Sequence, residues 1–247
     1  MRNFFTFNGV DSRDFGVYIS GNGRATIPEK APNFQTIPGR YGDLIIGKPA
    51  IPNEIITYPA FIAPYNDSGI TQSFTEMASR LRAFLMSVDG YAELTDSYDS
   101  GHYRLATFTG PTEFEITQAL DAGSFDLEFN CKPLRYLTDS DVITVNPGQS
   151  YTVEACQFWR SEPLITVRPS NTLPTIQFQI GDSLCSMTNT GYPITIDCRR
   201  LECWDSRGNN ANRYVNFPNN EFPTIENGSV LYSQYATLIA EPRWYEL

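Results

Sequence analysis

The chain has 247 residues, 41% of them hydrophobic, enough for one large β domain or two of ordinary size. Its formal charge is −10, with 18 basic residues against 28 acidic ones, which opposes the clustered Lys and Arg that bind nucleic-acid phosphates. No run approaches the length of apolar chain that spans a membrane, and the amino terminus lacks the apolar stretch of a secretory signal, so folding in the cytoplasm is expected.

The first predicted element is an aromatic strand over Asn3–Phe7, closed by Asn8-Gly9, the pair that supplies the positive φ angles of a type I′ turn. A short helical or irregular step and a second strand follow, then a glycine-punctuated loop, Ile37-Pro38-Gly39-Arg40-Tyr41-Gly42. Gly42 to Lys48 has the spacing of a phosphate-binding loop. Pro49 stands where the magnesium-binding hydroxyl belongs, and no helix is predicted after it, so the match carries no chemistry.

Between Ile51 and Ile70 the chain is extended and aromatic, with Pro52, Pro59 and Pro64. The runs Ile55–Tyr58 and Phe61–Ala63 read as two arms of a projecting β-ribbon whose prolines block further pairing. An ordinary edge hairpin and an arm reaching a neighbouring subunit fit equally. On the second reading Ile55, Tyr58, Phe61 and Tyr65 are the interface residues.

The period then changes. Phe74, Met77, Ala78, Leu81, Phe84, Leu85 and Val88 fall on one stripe of a helix over Ser73–Asp89. Ser73 with Glu76 fits a capping box, and Gly90 suits a left-handed terminus. The single histidine, His102, is placed in a solvent-facing turn with no nucleophile motif beside it. Glu113, Glu115, Asp126 and Glu128 alternate along strands, as residues of a solvated face do, and no acid pair for catalysis is inferred from them. Phe125, Leu127, Phe129 and Cys131 form the other face of a half-buried strand.

A domain boundary is expected at about Tyr136, dividing the chain into 1–135 and 136–247. In the second part Ile176, Phe178 and Ile180 alternate with polar residues, as do Ile194, Ile196 and Cys198, with turn-formers between the runs; the spacing suits a sandwich or barrel. The five cysteines have neither CxxC spacing nor a histidine partner, so core thiols are expected, with no disulfide, metal or cofactor. Late in the chain Trp204 precedes Asn209 and Asn210. This is a candidate ligand or partner contact, because an indole platform with nearby amides can stack on and hydrogen-bond a sugar; ordinary packing is the alternative.

The opening pattern FxFNGVxSxDFGV, Phe5 to Val17, followed by IPGRxG resembles the amino-terminal signature of distal tail (Dit) proteins of long, flexible-tailed bacteriophages. The likeness continues through Gly90–Leu94, Arg104–Phe108, Phe129–Pro133, Pro193–Asp197, Phe222–Gly228 and the ending Pro242–Leu247, nearly the whole chain. It implies a mainly β protein: an N-terminal barrel- or sandwich-like domain with one α-helix, then a C-terminal galectin-like β-sandwich, with the last residues able to return to the first domain. It further implies a non-enzymatic, homohexameric ring at the distal end of the tail, assembled in the host bacterial cytoplasm and joining the tail tube protein to the tail-associated lysin or spike hub. A receptor-binding protein or side fibre docks on the second domain in some relatives, and DNA passes the channel without specific binding. Galectin-like topology implies no sugar site here, because galectins use a histidine in the sandwich and His102 lies in the first part. The alternatives are a carbohydrate-binding module contacting the host surface and a tail-associated hydrolase.

Overall fold

The computed structural model describes residues 2–20, 29–47, 50–62, 73–110, 115–117, 122–188 and 191–246. The chain divides into two compact units, 1–138 (with 247) and 139–246.

The first unit comprises β1 (Phe5–Phe7), β2 (Val10–Asp11), β3 (Val17–Ile19), β4 (Phe34–Thr36), β5 (Asp43–Ile45), β6 (Glu54–Ile62), helix α1 (Phe74–Ser87), β7 (Ala92–Asp96), β8 (His102–Phe108), β9 (Glu115–Thr117) and β10 (Ala122–Leu137). Asn8 and Gly9 have φ of 48° and 76°, the type I′ pair, and they set Phe7 opposite Val10. A single 3-10 turn over Ser12–Phe15 then ends on Gly16 at φ 66°, in the left-handed region that glycine reaches without strain.

Antiparallel pairing runs β2-β1-β7-β8-β10, and β6 and β3 continue it beyond β10. Asn3 bridges Ile19, with the Ile19 N–H donating to the Asn3 carbonyl at 3.0 Å. That bridge brings the β1 end of the path to the β3 end, so the sheet curls towards a barrel. Inside it Phe129 meets Phe5, Phe7 and Tyr58 edge-on, with centroids 5.7, 5.1 and 6.1 Å away.

Helix α1 caps this core. Ser73 Oγ accepts from Glu76 N at 3.3 Å, and Phe74, Met77, Leu81 and Leu85 are buried on one stripe. Phe84, from the same stripe, stacks on Phe15 at 5.2 Å. The helix ends at Ser87, and Gly90 takes φ 76° as the chain turns into β7.

The β-ribbon expected over Ile51–Ile70 is corrected: Ile55–Tyr58 and Phe61–Ile62 are not two arms but one strand, β6, lying between β10 and β3. Pro59 interrupts nothing because its N and C=O face the end of the β3 ladder. There its carbonyl accepts Ser20 N at 2.7 Å, and only one donor is lost. Residues 63–70, including Tyr65 and Pro64, lie outside the described residues.

The second unit comprises β11 (Ile143–Val145), β12 (Ser150–Thr152), β13 (Arg160–Ser161), β14 (Leu164–Pro169), β15 (Ile176–Ile180), β16 (Ser183–Met187), β17 (Ile194–Asp197), β18 (Glu202–Asp205), β19 (Val215–Asn216), β20 (Ile225–Glu226), β21 (Val230–Ser233), β22 (Ala236–Glu241) and β23 (Trp244–Glu246). They form two antiparallel five-stranded sheets, β11-β22-β14-β17-β18 and β12-β21-β15-β16-β19. Ile165, Val167, Ile194, Ile196, Leu238 and Ala240 are buried on the first, and Ile176, Phe178, Ile180, Cys185, Met187 and Leu231 on the second. One buried and one solvated face per sheet is the pattern of a β-sandwich. A short ladder of β13 with β20 and β23 sets Trp244 opposite Ser161.

Candidate functional site

Among the described residues of the first unit, the hairpin of β4 and β5, not β6, leaves its apolar side chains uncovered. Phe34 pairs with Ile45 and Thr36 with Asp43, and the Thr36 hydroxyl donates to Asp43 Oδ1 at 2.8 Å. Every residue from 33 to 47 is exposed, including Phe34 at 60%, Tyr41 fully, and Ile37, Leu44, Ile45 and Ile46. A two-stranded ribbon that covers none of its apolar side chains is marginal in water, so it calls for a partner surface. The glycine-punctuated loop of residues 37–42 is the turn between the two strands, and the alternation of Phe34, Thr36 and Asp43, Ile45 is too short to signal the strands from sequence. Where a phosphate loop would lead into a helix, the chain instead runs from Ala50, which bridges Ala31, into strand β6 at Glu54.

Of the interface residues expected on β6, Ile55 is 61% exposed and Phe61 half-buried, stacked on Tyr18 at 5.7 Å. Tyr58 is only 6% exposed. It packs among Phe5 and Phe129, and its hydroxyl donates to Asp96 Oδ2 at 2.7 Å. Burial first, and the Asp96 carboxylate second, raise its phenol well above the ordinary tyrosine range.

An apolar groove of about 330 Å³ lies along the second half of α1, where the helix meets β8 and β10. Leu81, Leu85, Met86, Phe108 and Leu127 line it, with Arg82 at its edge; Met86 is 70% exposed. A larger, open depression of about 490 Å³ on the second unit carries only uncharged side chains, among them Gln177, Gln179, Tyr232 and Tyr235.

Trp204, Asn209 and Asn210 are neighbours, as their order in the chain suggests. Trp204 lies in β18, half-buried, and bridges Asn210. The amides, however, are engaged within the loop. Asn209 Nδ2 donates to both Asp205 carboxylate oxygens at 3.2 and 3.1 Å, and its backbone N–H donates to Oδ1 at 3.0 Å. Arg207 adds two further side-chain donors to the same carboxylate. The Asn209 bonds foremost, with the Arg207 contacts, hold the Asp205 carboxyl well below the usual carboxylate range. Asn210 Oδ1 accepts from Asn212 N at 3.2 Å. The loop is built around Asp205, a residue that sequence reasoning passed over.

His102 is not a solvent-facing turn residue. It begins β8, and its Nδ1 lies 2.8 Å from Asp99 Oδ1, while Arg135 pairs with the other oxygen. Burial alone would raise Asp99; the His102 bond and the Arg135 charge outweigh it and lower its pKa. Four cysteines are buried thiols, but Cys156 is exposed, which corrects the expectation for that one. Burial pushes Cys131, Cys185 and Cys203 each up to about 12. Asp126 and Glu128 stand opposite Pro59 and Thr57 on the outward-facing positions of β10, while Glu113 and the Glu115 side chain lie outside the described residues. Among the described residues no group of three His, Cys, Asp or Glu side chains could hold a metal ion, and no helix is long and apolar enough to cross a membrane.

A barrel-like sheet capped by one helix, followed by a two-sheet unit, defines a mainly β fold of the distal-tail-protein type. Among solved structures, the chain is similar to the Dit protein (gp 19.1) of phage SPP1, described as a paradigm of the hub adsorption apparatus in phages infecting Gram-positive hosts. The TM-score is 0.73 at 14% identity, covering 100% of this chain and 99% of that one. It is also similar to chains of the phage p2 baseplate in its activated conformation. With Sr the TM-score is 0.56 at 10% identity, covering 97% of each chain. With Ca it is 0.55 at 10% identity, covering 100% of this chain and 98% of that one. No protein-family model and no curated protein sequence matches the chain.

Proposed function

We propose that this protein is a structural component of a phage tail, forming a homohexameric ring at the distal end of the tail tube. The ring joins the tube protein on one face to the tail-associated lysin or spike hub on the other, and DNA passes through its channel. The observation that carries this reading is the end-to-end likeness to the SPP1 Dit hub protein, which spans both units in one chain. The uncovered hairpin supports it, because a ring subunit must keep apolar surface in reserve for its neighbours. A net charge of −10 suits a conduit for DNA, since an acidic wall repels phosphate instead of retaining it. The protein acts as scaffold and not as catalyst.

Negative-stain microscopy with light scattering tests this. Six copies of 27.8 kDa give particles of about 167 kDa with six-fold symmetry, in isolation or on tail tubes. A protein that stays at 27.8 kDa and caps no tube would overturn the reading.

A further inference from the structure

We propose that the β4–β5 hairpin of one copy lodges in the apolar groove beside α1 of the next copy. The inference rests on the ring reading above and names the two surfaces that would close the ring. A cyclic, head-to-tail assembly needs two different, complementary patches on each subunit. The first unit carries two such patches: a convex ribbon of exposed Phe34, Tyr41, Leu44 and Ile45, and a concave groove lined by Leu81, Leu85, Met86 and Phe108.

The areas agree with that pairing. Phe34, Ile37, Tyr41, Leu44, Ile45 and Ile46 together expose on the order of 600 Å², taking about 200 Å² for a full aromatic side chain. A standard interface buries about 800 Å² per partner, so this hairpin supplies most of one face. The groove, at about 330 Å³, is large enough for one or two of these side chains but not for the whole ribbon. The tip or one strand therefore anchors while the rest lies along the exposed side of α1 near Met86. The ribbon carries one exposed charge of each sign, Arg40 and Asp43, and Arg82 on the groove lies where Asp43 can meet it. Met86, an adaptable thioether on the rim, is suited to closing over an incoming side chain.

The test uses the full chain with the exposed thiol removed by Cys156→Ser, since the other four thiols are buried. Ile45→Cys and Met86→Cys are made separately in that background and treated with a short bismaleimide. The expected result is a covalent dimer when the two variants are mixed and no link between Ile45 and Met86 positions when either is treated alone. A variant carrying both changes should give a ladder running up to six copies. A ring seen by microscopy without the mixed link would overturn the hairpin–groove pairing and leave the ring. A link formed within single copies of the double variant would show that the hairpin covers its own groove, which also overturns it. Absence of both ring and link counts against both readings.

Discussion

Tyr58 and Asp96 are joined by a 2.7 Å hydrogen bond that ties the middle of β6 to the end of β7. Asp96 Oδ1 also accepts Tyr98 N and Asp99 N at 2.9 and 3.0 Å, so one carboxylate fixes the turn into β8 and the strand across the core. The bond places Tyr58 in the interior of the first unit.

Tyr58→Phe keeps the ring packing and removes the donor, leaving Asp96 Oδ2 without it. The expected loss is about 1.5–3 kcal/mol of stability, the range for a bond to a charged acceptor. Tyr58→Ser also empties an aromatic site, at about 3–5 kcal/mol, and lowers the melting temperature of the free subunit. Denaturant unfolding of the unassembled protein distinguishes the two; an unchanged midpoint in Tyr58→Ser would return this residue to the interface.

Ile45→Ser and Tyr41→Ser should do the opposite. Neither side chain is buried in its own chain, so the melting temperature of the free subunit stays where it is. Each apolar side chain buried on assembly contributes about 1.5–3 kcal/mol, repeated at every contact of the proposed ring. Sedimentation velocity should show the assembly midpoint moving to at least tenfold higher protein concentration.

Only Cys156 should react with an exposed-thiol reagent in the native protein, against all five cysteines in denaturant. The buried thiols also set an alkaline limit. Their folded pKa values, about 12 for Cys131, Cys185 and Cys203, lie above the ordinary value of about 9, so folding favours the protonated form. That stability is complete below about pH 9 and is lost as pH rises towards 12, with Tyr58 adding to the loss above about pH 10. Chemical denaturation at stepped pH should show the midpoint falling as pH rises above about 9.

Arg243 donates to both oxygens of the buried Asp197, at 2.8 and 3.3 Å, and so ties the last residues of the second unit to β17. Burial would raise the Asp197 pKa; the Arg243 bonds, with the Arg199 and Arg200 backbone N–H groups, outweigh it and lower it. A lowered carboxylate stabilises the fold above its ordinary value near 4 and loses that contribution as pH falls below it. Arg243→Ala strands the carboxylate at a cost towards the lower end of about 3–5 kcal/mol, because the two backbone donors remain. Differential calorimetry should find the second unit melting earlier in the variant, with a smaller difference at pH 3 than at pH 7.

Wherever local physics is sufficient, the sequence by itself determined the structure. Asn8-Gly9 needs no distant partner to turn, Ser73 caps the helix by accepting from a backbone N–H three residues on, and the alternation Phe125, Leu127, Phe129, Cys131 records which face of β10 is buried. The order of such short signals along the chain also carried the likeness to distal tail proteins. Only the tertiary structure decided between elements that look alike in one dimension. Ile55–Tyr58 and Phe34–Thr36 are both apolar extended runs, yet the first is held between β10 and β3 while the second pairs only with β5 among the described strands and stays exposed. Which of them is covered depends on strands dozens of residues away. The same holds for Asn209 and Asn210, where only the folded loop shows that Asp205 accepts from the Asn209 amide and that the Asn210 oxygen accepts from the Asn212 N–H. Alternation specifies that a strand has a buried face; it takes the folded sheet to specify what lies against it.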